Sequence, residues 1–463
     1  MSLHTQESRM KYDAVVIGFG KGGKTLAAKL AGLGETVAVI EKSEKMYGGT
    51  CINVGCIPSK SLVRSSDVAA GFPPGLPFAE RAAFYEKAVL EKNRLTGMLR
   101  QKNFDKLDTL ENVTVYTGFA SFLSNTRVQV ASADGTFVVE GERIFINTGA
   151  RPVIPDIPGL ADCPRAYVSE RLMDLSVLPK RLVIIGGGYI GLEFASMYAG
   201  FGSKVTVLQD GGVFLKKEDE DVAAEIKKVL EEKGVGFLIG ASIHGVRDSP
   251  EFSTVSCTWN GTSYELVADA ILVATGRTAN TEGLHAEAAG VSLTKHGAVV
   301  VDDHLRTTAP NIWAMGDVCG GLQFTYVSLD DFRVIWSQFS NGGYTTLRRK
   351  NVPYSVFIDP PFSRVGLSER EAVAAGYRVK VARLPAAAVP KAQVLQKPAG
   401  LLKAVIDADT GKILGMAALC AESYEFINVV KLAMDMDVHY EVLRDQIFTH
   451  PTMCEALNDL FAV

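Results

Sequence analysis

Cys51 and Cys56 stand with four residues between them in the run Gly48-Gly49-Thr50-Cys51-Ile52-Asn53-Val54-Gly55-Cys56-Ile57-Pro58-Ser59-Lys60. Two thiols this close can take up and release electrons as a pair, and the thiolate form sets their reactivity. Pro58 and the following Ser59-Lys60-Ser61-Leu62 mark a helix start nearby. A helix N-terminus and a neighbouring lysine both lower a thiol pKa, which lets one member persist as a thiolate. The other readings are a buried pair of inert thiols or half of a metal site. A zinc site has little support, because no second cysteine pair and no histidine at ligand spacing accompany them.

Redox chemistry needs an electron source, and the chain has two places to hold one. The apolar run 12–17 enters Gly18-Phe19-Gly20-Lys21-Gly22-Gly23, followed by a helical stretch through Leu33 and a second strand over 36–40. Gly18, Gly20 and Gly23 match the G-x-G-x-x-G fingerprint: a tight turn, close approach of backbone to a pyrophosphate, and helix-on-strand packing. Glu41 follows the second strand, where an acidic group holds a ribose diol. The unit repeats: 182–185 leads into Gly186-Gly187-Gly188-Tyr189-Ile190-Gly191, a helix through Ala199 and a strand over 205–208. Gly186, Gly188 and Gly191 repeat the fingerprint, and Gln209 stands where Glu41 stands in the first copy. One such motif is weak; two in matched context predict two dinucleotide sites.

The surrounding elements fit that reading. Residues 144–150 and 270–277 are strands ending in glycine turns at Gly149 and Gly276, and Pro152, Pro155 and Pro158 mark a crossing between domains. Residues 311–317 end a further strand with the carboxylate of Asp317. From Asn351 the dinucleotide signature gives way to an α+β pattern. At about 150 residues per domain, 463 residues predict roughly three domains. Lys plus Arg number 48 against 52 Asp plus Glu, a formal charge of −4 that argues against a nucleic-acid binder. No window approaches the roughly 18 apolar residues of a membrane span, and residues 1–11 lack a signal core. Seven cysteines are too few for a disulfide scaffold. The expected location is the cytoplasm. Met1-Ser2-Leu3 ahead of Met10 reads as a leader, with the natural start at Met10.

The Cys-x4-Cys segment, both fingerprints and Met315-Gly316-Asp317 resemble the flavoprotein disulfide reductases, the family of dihydrolipoamide dehydrogenase, glutathione reductase and mercuric reductase. The resemblance runs from about Lys11 to Phe461. It implies an α/β fold with two Rossmann-like dinucleotide-binding domains, for FAD and NAD(P), plus a C-terminal α+β dimerisation domain. FAD-binding residues would span 11–151 and 276–348, NAD(P)-binding residues 152–275, and the interface domain 349–463. FAD would lie at Gly18, Gly20, Gly23, Glu41, Thr50, Lys60, Gly149 and Asp317. NADH or NADPH would lie at Gly186, Gly188, Tyr189, Gly191, Gln209 and Gly276, with Tyr189 as an aromatic gate. Lys60 and Glu193 match the family's ion pair beside the flavin. His450 and Glu455, in His450-Pro451-Thr452-Met453-Cys454-Glu455, match the pair that shuttles a proton into the partner subunit's site, which implies a homodimer. In the implied relay, electrons from NAD(P)H pass through the flavin to Cys56, the cysteine nearer the ring. Cys51 is released as the outward-facing thiolate.

The departures from that pattern bear on the acceptor. Ala28-Lys29 replaces the paired arginines of glutathione reductases, and Phe448 stands where dihydrolipoamide dehydrogenases usually carry a second histidine. The chain keeps His450 and ends Leu460-Phe461-Ala462-Val463, unlike mercuric reductases, which end in a cysteine pair. The segments 320–331, 447–450 and 458–461 are most similar to the reactive-chlorine-resistance branch, flavoproteins described as copper(II) reductases. That points to a metal acceptor reached through Cys51 and Cys56, with no structural metal. Dihydrolipoamide or another small disulfide is the alternative, and a flavin redox sensor is the alternative of another class. Gln209 leaves the nicotinamide choice near even: Asp210 could take a ribose diol, Lys216 and Lys217 a phosphate, with a slight lean to NADH. Cys163, Cys257, Cys319, Cys420 and Cys454 read as small hydrophobes, with Cys454, between His450 and Glu455, as a third thiol that could help bind metal.

Overall fold

A computed structural model describes residues 10–340 and 342–463; the leader reading of residues 1–9 lies outside the described residues. The chain divides into two compact units, 1–61 with 89–153 and 276–349, and 62–88 with 154–275 and 350–463. The division falls within two helices, Cys56–Ala70 and Phe78–Asp108. The second of these is 31 residues long and has no counterpart among the elements expected from sequence.

In the first unit, the strands Val113–Thr117, Val37–Glu41, Met10–Ile17, Gly135–Ile146 and Ile312–Ala314 run parallel. Arg127–Ser132 and Phe119–Phe122 extend the sheet antiparallel. Both faces of the parallel part are covered. Val15, Ile17, Ile40, Ile144 and Ile146 enter one core cluster, while Ala14, Val16, Val37, Val39 and Phe145 enter another. A strand buried on both sides needs apolar residues without alternation, which is why 12–17 reads as one continuous run.

The second unit repeats the architecture. Gly236–Ile239, Lys204–Gln209, Arg181–Ile185, Ala270–Val273 and Ala166–Val168 form a five-stranded parallel sheet. A three-stranded antiparallel sheet, Ser242–Asp248, Ser253–Trp259 and Thr262–Ala268, lies in the same unit. The C-terminal part is a five-stranded antiparallel sheet, ordered Tyr354–Val356, Phe362–Gly366, Ile413–Leu419, Leu401–Asp407, Val379–Pro385. The helix Ser423–Asp435 packs on it around Phe426, Ile427 and Val430. Among the described residues, no helix is long and apolar enough to cross a membrane.

The later segment of the first unit is fastened by a charged cluster. Arg349 donates to Asp330 (2.7 Å) and to Asp331, and Asp331 accepts the Gly316 N–H (2.7 Å). Asp331 is 3% exposed, and burial pushes its pKa up, while the Gly316 N–H and Arg349 pull against the rise. Arg349→Ala should lower unfolding stability by about 3 kcal/mol in a denaturant titration, the scale for stranding one member of a buried ion pair. A change under about 0.5 kcal/mol would mean that Asp331 does not need the partner.

Candidate functional site

The first glycine turn is built against one side chain that the sequence did not single out. Gly18 has φ +105°, and a Cβ there would lie 2.3 Å from the Asn147 carbonyl oxygen. A Cβ on Gly20 would lie 2.4 Å from Asn147 Oδ1, and one on Gly23 2.9 Å from the same atom. Asn147 Oδ1 accepts the Gly23 N–H (3.0 Å), and its Nδ2 donates to the Met315 carbonyl (2.7 Å). One amide thus ties the fingerprint turn to the strand end that carries Gly316-Asp317. The helix Lys21–Ala31 starts from Gly20, so its positive end faces the turn and favours an anion there. Glu41 ends the next strand buried, its Oε2 accepting the Phe19 N–H (3.0 Å), and burial raises its pKa.

Asp317 lies half-buried in the turn Gly316–Cys319; burial raises its pKa and the Arg277 guanidinium opposes the rise. Beside Gly149 (φ +74°), the Thr148 hydroxyl is buried without a hydrogen-bond partner among the described residues. A glycine cradle, a buried carboxylate where a ribose belongs and an unpaired hydroxyl on the same turn fit the adenosine and pyrophosphate of FAD.

The cysteines sit against this turn. Thr50–Asn53 forms a single helical turn after Gly49 (φ +82°), and a Cβ on Gly49 would lie 2.7 Å from the Gly20 Cα. Asn53 Nδ2 donates to the carbonyls of Tyr47 and Gly49, both at 2.9 Å. The helix Phe78–Asp108 clamps the segment from outside. Arg100 Nε donates to Asn53 Oδ1 (2.7 Å), and Phe104 stacks on Tyr47 with ring centres 4.7 Å apart. Lys24 Nζ donates to Asn103 Oδ1 (2.6 Å) and to the Gly48 carbonyl (3.2 Å). Burial pushes Lys24 down to about 8.

Cys56 is exposed and is itself the first residue of its helix, a little earlier than Pro58 suggested; Pro58 is tolerated there because first-turn amides have no helical partner. Its sulfur lies 3.7 Å from the Thr325 hydroxyl, at the start of the helix Thr325–Phe339. The Cys51 thiol is half-buried, and its pKa is pushed up, first by its hydrogen bond with Cys56 and then by burial; Thr325 and Lys24 pull the other way. At Cys51 the hydrogen bond with its neighbour therefore outweighs the pull of Thr325 and Lys24. The partial positive end of the helix falls at Cys56. Asn147, Arg100 and Thr325 carried no role in the sequence reading; Asn147 at a strand end and Thr325 at a helix start had position as their signal, and Arg100, inside a helix, had none.

The second glycine turn lies in the second unit. Gly186 has φ +114°, with a Cβ position 2.4 Å from the Ala274 carbonyl oxygen, and Gly191 fits 2.0 Å from that of Gly186. Gly188 faces open space and caps the helix Tyr189–Phe201. Gln209 Nε2 donates to the carbonyls of Gly211 (2.7 Å) and Val213 (2.9 Å). Its Oε1 faces the glycine loop, 2.5 Å from where a Gly187 Cβ would be. That leaves an acceptor for a ribose hydroxyl. Tyr189 is the first helical residue, its hydroxyl bonded to Glu218. Glu193 lies one turn on and accepts the Phe357 N–H (2.8 Å). Lys60 and Gly276 belong to the first unit.

At the C-terminus, His450 Nδ1 lies 2.9 Å from Glu455 Oε2. A carboxylate only accepts, so Nδ1 carries the proton and Nε2 is left as the acceptor on an exposed ring. Cys454 packs against the C-terminal core, and burial raises its pKa. Cys163, Cys257 and Cys420 are buried and Cys319 is half-buried.

Residues 12–331 match the family model for pyridine nucleotide-disulphide oxidoreductases, and 352–461 match the dimerisation domain of the same family. The chain is 47% identical over 454 residues to the probable pyridine nucleotide-disulfide oxidoreductase RclA of Escherichia coli (strain K12), covering 98% of this chain and 99% of that protein. The solved Cu(II) complex of the HOCl-induced flavoprotein disulfide reductase RclA from Escherichia coli matches with a TM-score of 0.92 at 47% identity, over 97% of this chain and 99% of that one. A mercuric reductase of Lysinibacillus sphaericus is 33% identical over 451 residues, 96% of this chain and 81% of the relative. Two glycine turns shaped for dinucleotides, a thiol pair packed on the first of them and family matches across both regions have one explanation: the chain belongs to the pyridine nucleotide-disulphide oxidoreductases, enzymes that bind FAD and draw electrons from NAD(P)H.

Proposed function

We propose that the enzyme passes electrons from NAD(P)H by way of FAD and the Cys51–Cys56 pair to a metal ion, Cu(II) foremost, in defence against reactive chlorine. The observation that carries this is a pair of hydrogen-bonded sulfurs beside the first glycine turn, in a chain 47% identical to a flavoprotein solved with Cu(II). Thiolates are soft ligands and suit the cuprous product. The balance is simple: the dithiol becomes a disulfide, releases two protons and reduces two Cu(II) to Cu(I).

FAD, when bound, supplies the two-electron link between nicotinamide and thiols. In this reading the protein's own groups hold and orient. Glu41 takes the adenosine ribose, the amides beyond Gly20 the pyrophosphate, and Asp317 the ribityl or pyrophosphate portion. Gly18, Gly23, Thr50 and Gly149 line the cofactor, and Lys60 and Glu193 are assigned to the flavin by the resemblance. Gly186, Gly188, Gly191 and Gly276 belong to the nicotinamide nucleotide, with Tyr189 as its gate. Gln209 offers a ribose an oxygen and offers a phosphate no positive charge, which supports NADH. We assign 11–151 with 276–348 to FAD, 152–275 to NAD(P)H and 349–463 to the dimer interface. His450 would serve the partner subunit's site, a role supported by its exposed ring and by Ile447, 95% exposed beside it. Seven thiols suit a reducing cytoplasm.

The His450–Glu455 pair favours a second reading, a small-disulfide acceptor with lipoamide first, because a departing thiolate needs a proton and a one-electron metal acceptor does not.

NADH oxidation by the FAD-loaded enzyme with Cu(II) as sole acceptor should be rapid and should collapse at least about 100-fold in Cys51→Ser, the loss expected on removing an essential nucleophile. Absence of a copper-dependent rate in the parent enzyme would sink the metal assignment. His450→Gln should cost roughly 10²–10⁴-fold in kcat with lipoamide. The same variant should leave anaerobic reduction of the flavin by NADH unchanged in stopped flow. Equal turnover with lipoamide would remove His450 from the acid-base role.

A further inference from the structure

The helix Lys21–Ala31 opens with cations where a helix favours anions: Lys21 and Lys24 lie in its first turns, which hold no acidic residue. The two are three apart, so they are neighbours on one face and repel. Lys24 is also half-buried, and a cation taken from water needs a paired charge or full hydrogen bonding. Its Nζ donates to two neutral acceptors, Asn103 Oδ1 (2.6 Å) and the Gly48 carbonyl (3.2 Å), which engage two of its three protons. Among the described residues no carboxylate pairs with it. Burial and then Lys21 lower its pKa, with Cys51 pulling the other way.

The place where this charge is fastened gives it a purpose. Gly48 adjoins Gly49, and a Cβ on Gly49 would lie 2.7 Å from the Gly20 Cα, so the ammonium is held beside the first glycine turn. Two carboxylates already flank that turn. Glu41 is buried with the Phe19 N–H on its Oε2 (3.0 Å), and Asp317 lies in the turn that Asn147 ties to the same loop. FAD adds a diphosphate, two more negative charges. The helix N-terminus offers that diphosphate hydrogen bonds but only about half a positive charge.

We propose that Lys24 is a fixed counter-charge for the FAD diphosphate, pinned beside the first glycine turn by Asn103 and Gly48 and uncompensated until the cofactor binds. The inference rests on reading that turn as the FAD site. It gives one residue two effects of opposite sign: the charge destabilises the empty protein and strengthens cofactor binding. A lysine that merely packs would support both.

The test compares Lys24→Gln, neutral but still a donor, with Lys24→Arg, which keeps the charge. FAD binding to the apoprotein, followed by quenching of flavin fluorescence, should weaken roughly tenfold in Lys24→Gln, the scale of one unit charge in a partly desolvated site. Lys24→Arg should stay within about threefold of the parent, since the charge is retained. Melted without FAD and followed by circular dichroism, Lys24→Gln should unfold no lower than the parent apoprotein. At one fixed FAD concentration its rise in melting temperature should be the smaller of the two. Unchanged FAD affinity in Lys24→Gln would overturn the counter-charge and leave the proposed function standing. An apoprotein that melts lower in step with weaker binding, or that fails to fold, would overturn it too, because the lysine would then be structural. If the parent apoprotein takes up no FAD, the reading of the turn falls and the counter-charge with it.

Discussion

A side chain cannot be added at Gly49 without striking the Gly20 backbone, and one cannot be added at Gly20 without striking Asn147. This stack of two close approaches is the constraint from which the redox site follows. It brings the turn bearing Cys51 directly against the loop that holds the first dinucleotide, with no side-chain layer between them. Asn147 reaches in turn to the Met315 carbonyl, so the Gly316-Asp317 turn is fixed relative to the same loop. The glycines are demanded here by contact as much as by dihedral angle. Because the loop, the cysteine turn and the Asp317 turn share one set of hard contacts, displacing one displaces all three.

The electrostatics around the thiols follow from that crowding. Cys51 is pressed between Cys56 and the loop, with Lys24 supplying positive charge and Thr325 a hydroxyl. Lys24 is itself half-desolvated and pinned to Gly48 and Asn103, so it cannot swing in to form a tight ion pair. Two thiols within hydrogen-bond reach give up their first proton jointly and their second against the charge of the first. The positive end of the helix falls at Cys56, where the helix begins, while the thiol pair's own hydrogen bond acts first on Cys51. Helix ends and lysines, taken alone, lower any thiol nearby; the pair's own coupling is the larger effect at Cys51.

Much of the parallel-sheet architecture was legible because its causes are local. Buried parallel strands need unbroken apolar runs, and a fingerprint glycine is required by the contact it makes, so runs 12–17 and 182–185 and the two glycine turns stand out in any reading of the chain. The helix Phe78–Asp108 did not stand out, since polar residues (Lys92, Thr96, Arg100 and Asn103) share the face that carries its buried Tyr85 and Val89. Asn147, Arg100, Thr325 and Glu218 act through contacts with residues distant in sequence, and a lone polar residue carries no period to detect. Lys60, Glu193 and His450 were legible only through family resemblance. Of these, the His450 contact with Glu455 is local enough for the chain itself to supply geometry.

The two dinucleotide turns repeat one motif, yet they are built for different residence times. In the first, Gly20 is enclosed by Asn147, the ribose carboxylate Glu41 is 7% exposed, and the cysteine turn lies over the loop. In the second, Gly188 faces open space within 4 Å, and Gln209 is half-exposed with its amide spent on its own loop. A ligand held by buried, preorganised groups leaves slowly, because departure would expose those groups unpaired. A ligand met by an open glycine and a single amide oxygen exchanges freely. The first arrangement suits a flavin that stays through every turnover, the second a nucleotide that must arrive reduced and leave oxidised. The contrast lies at one position of the motif, Gly20 against Gly188, since Gly186, Gly187 and Gly191 are as tightly enclosed as Gly18 and Gly23.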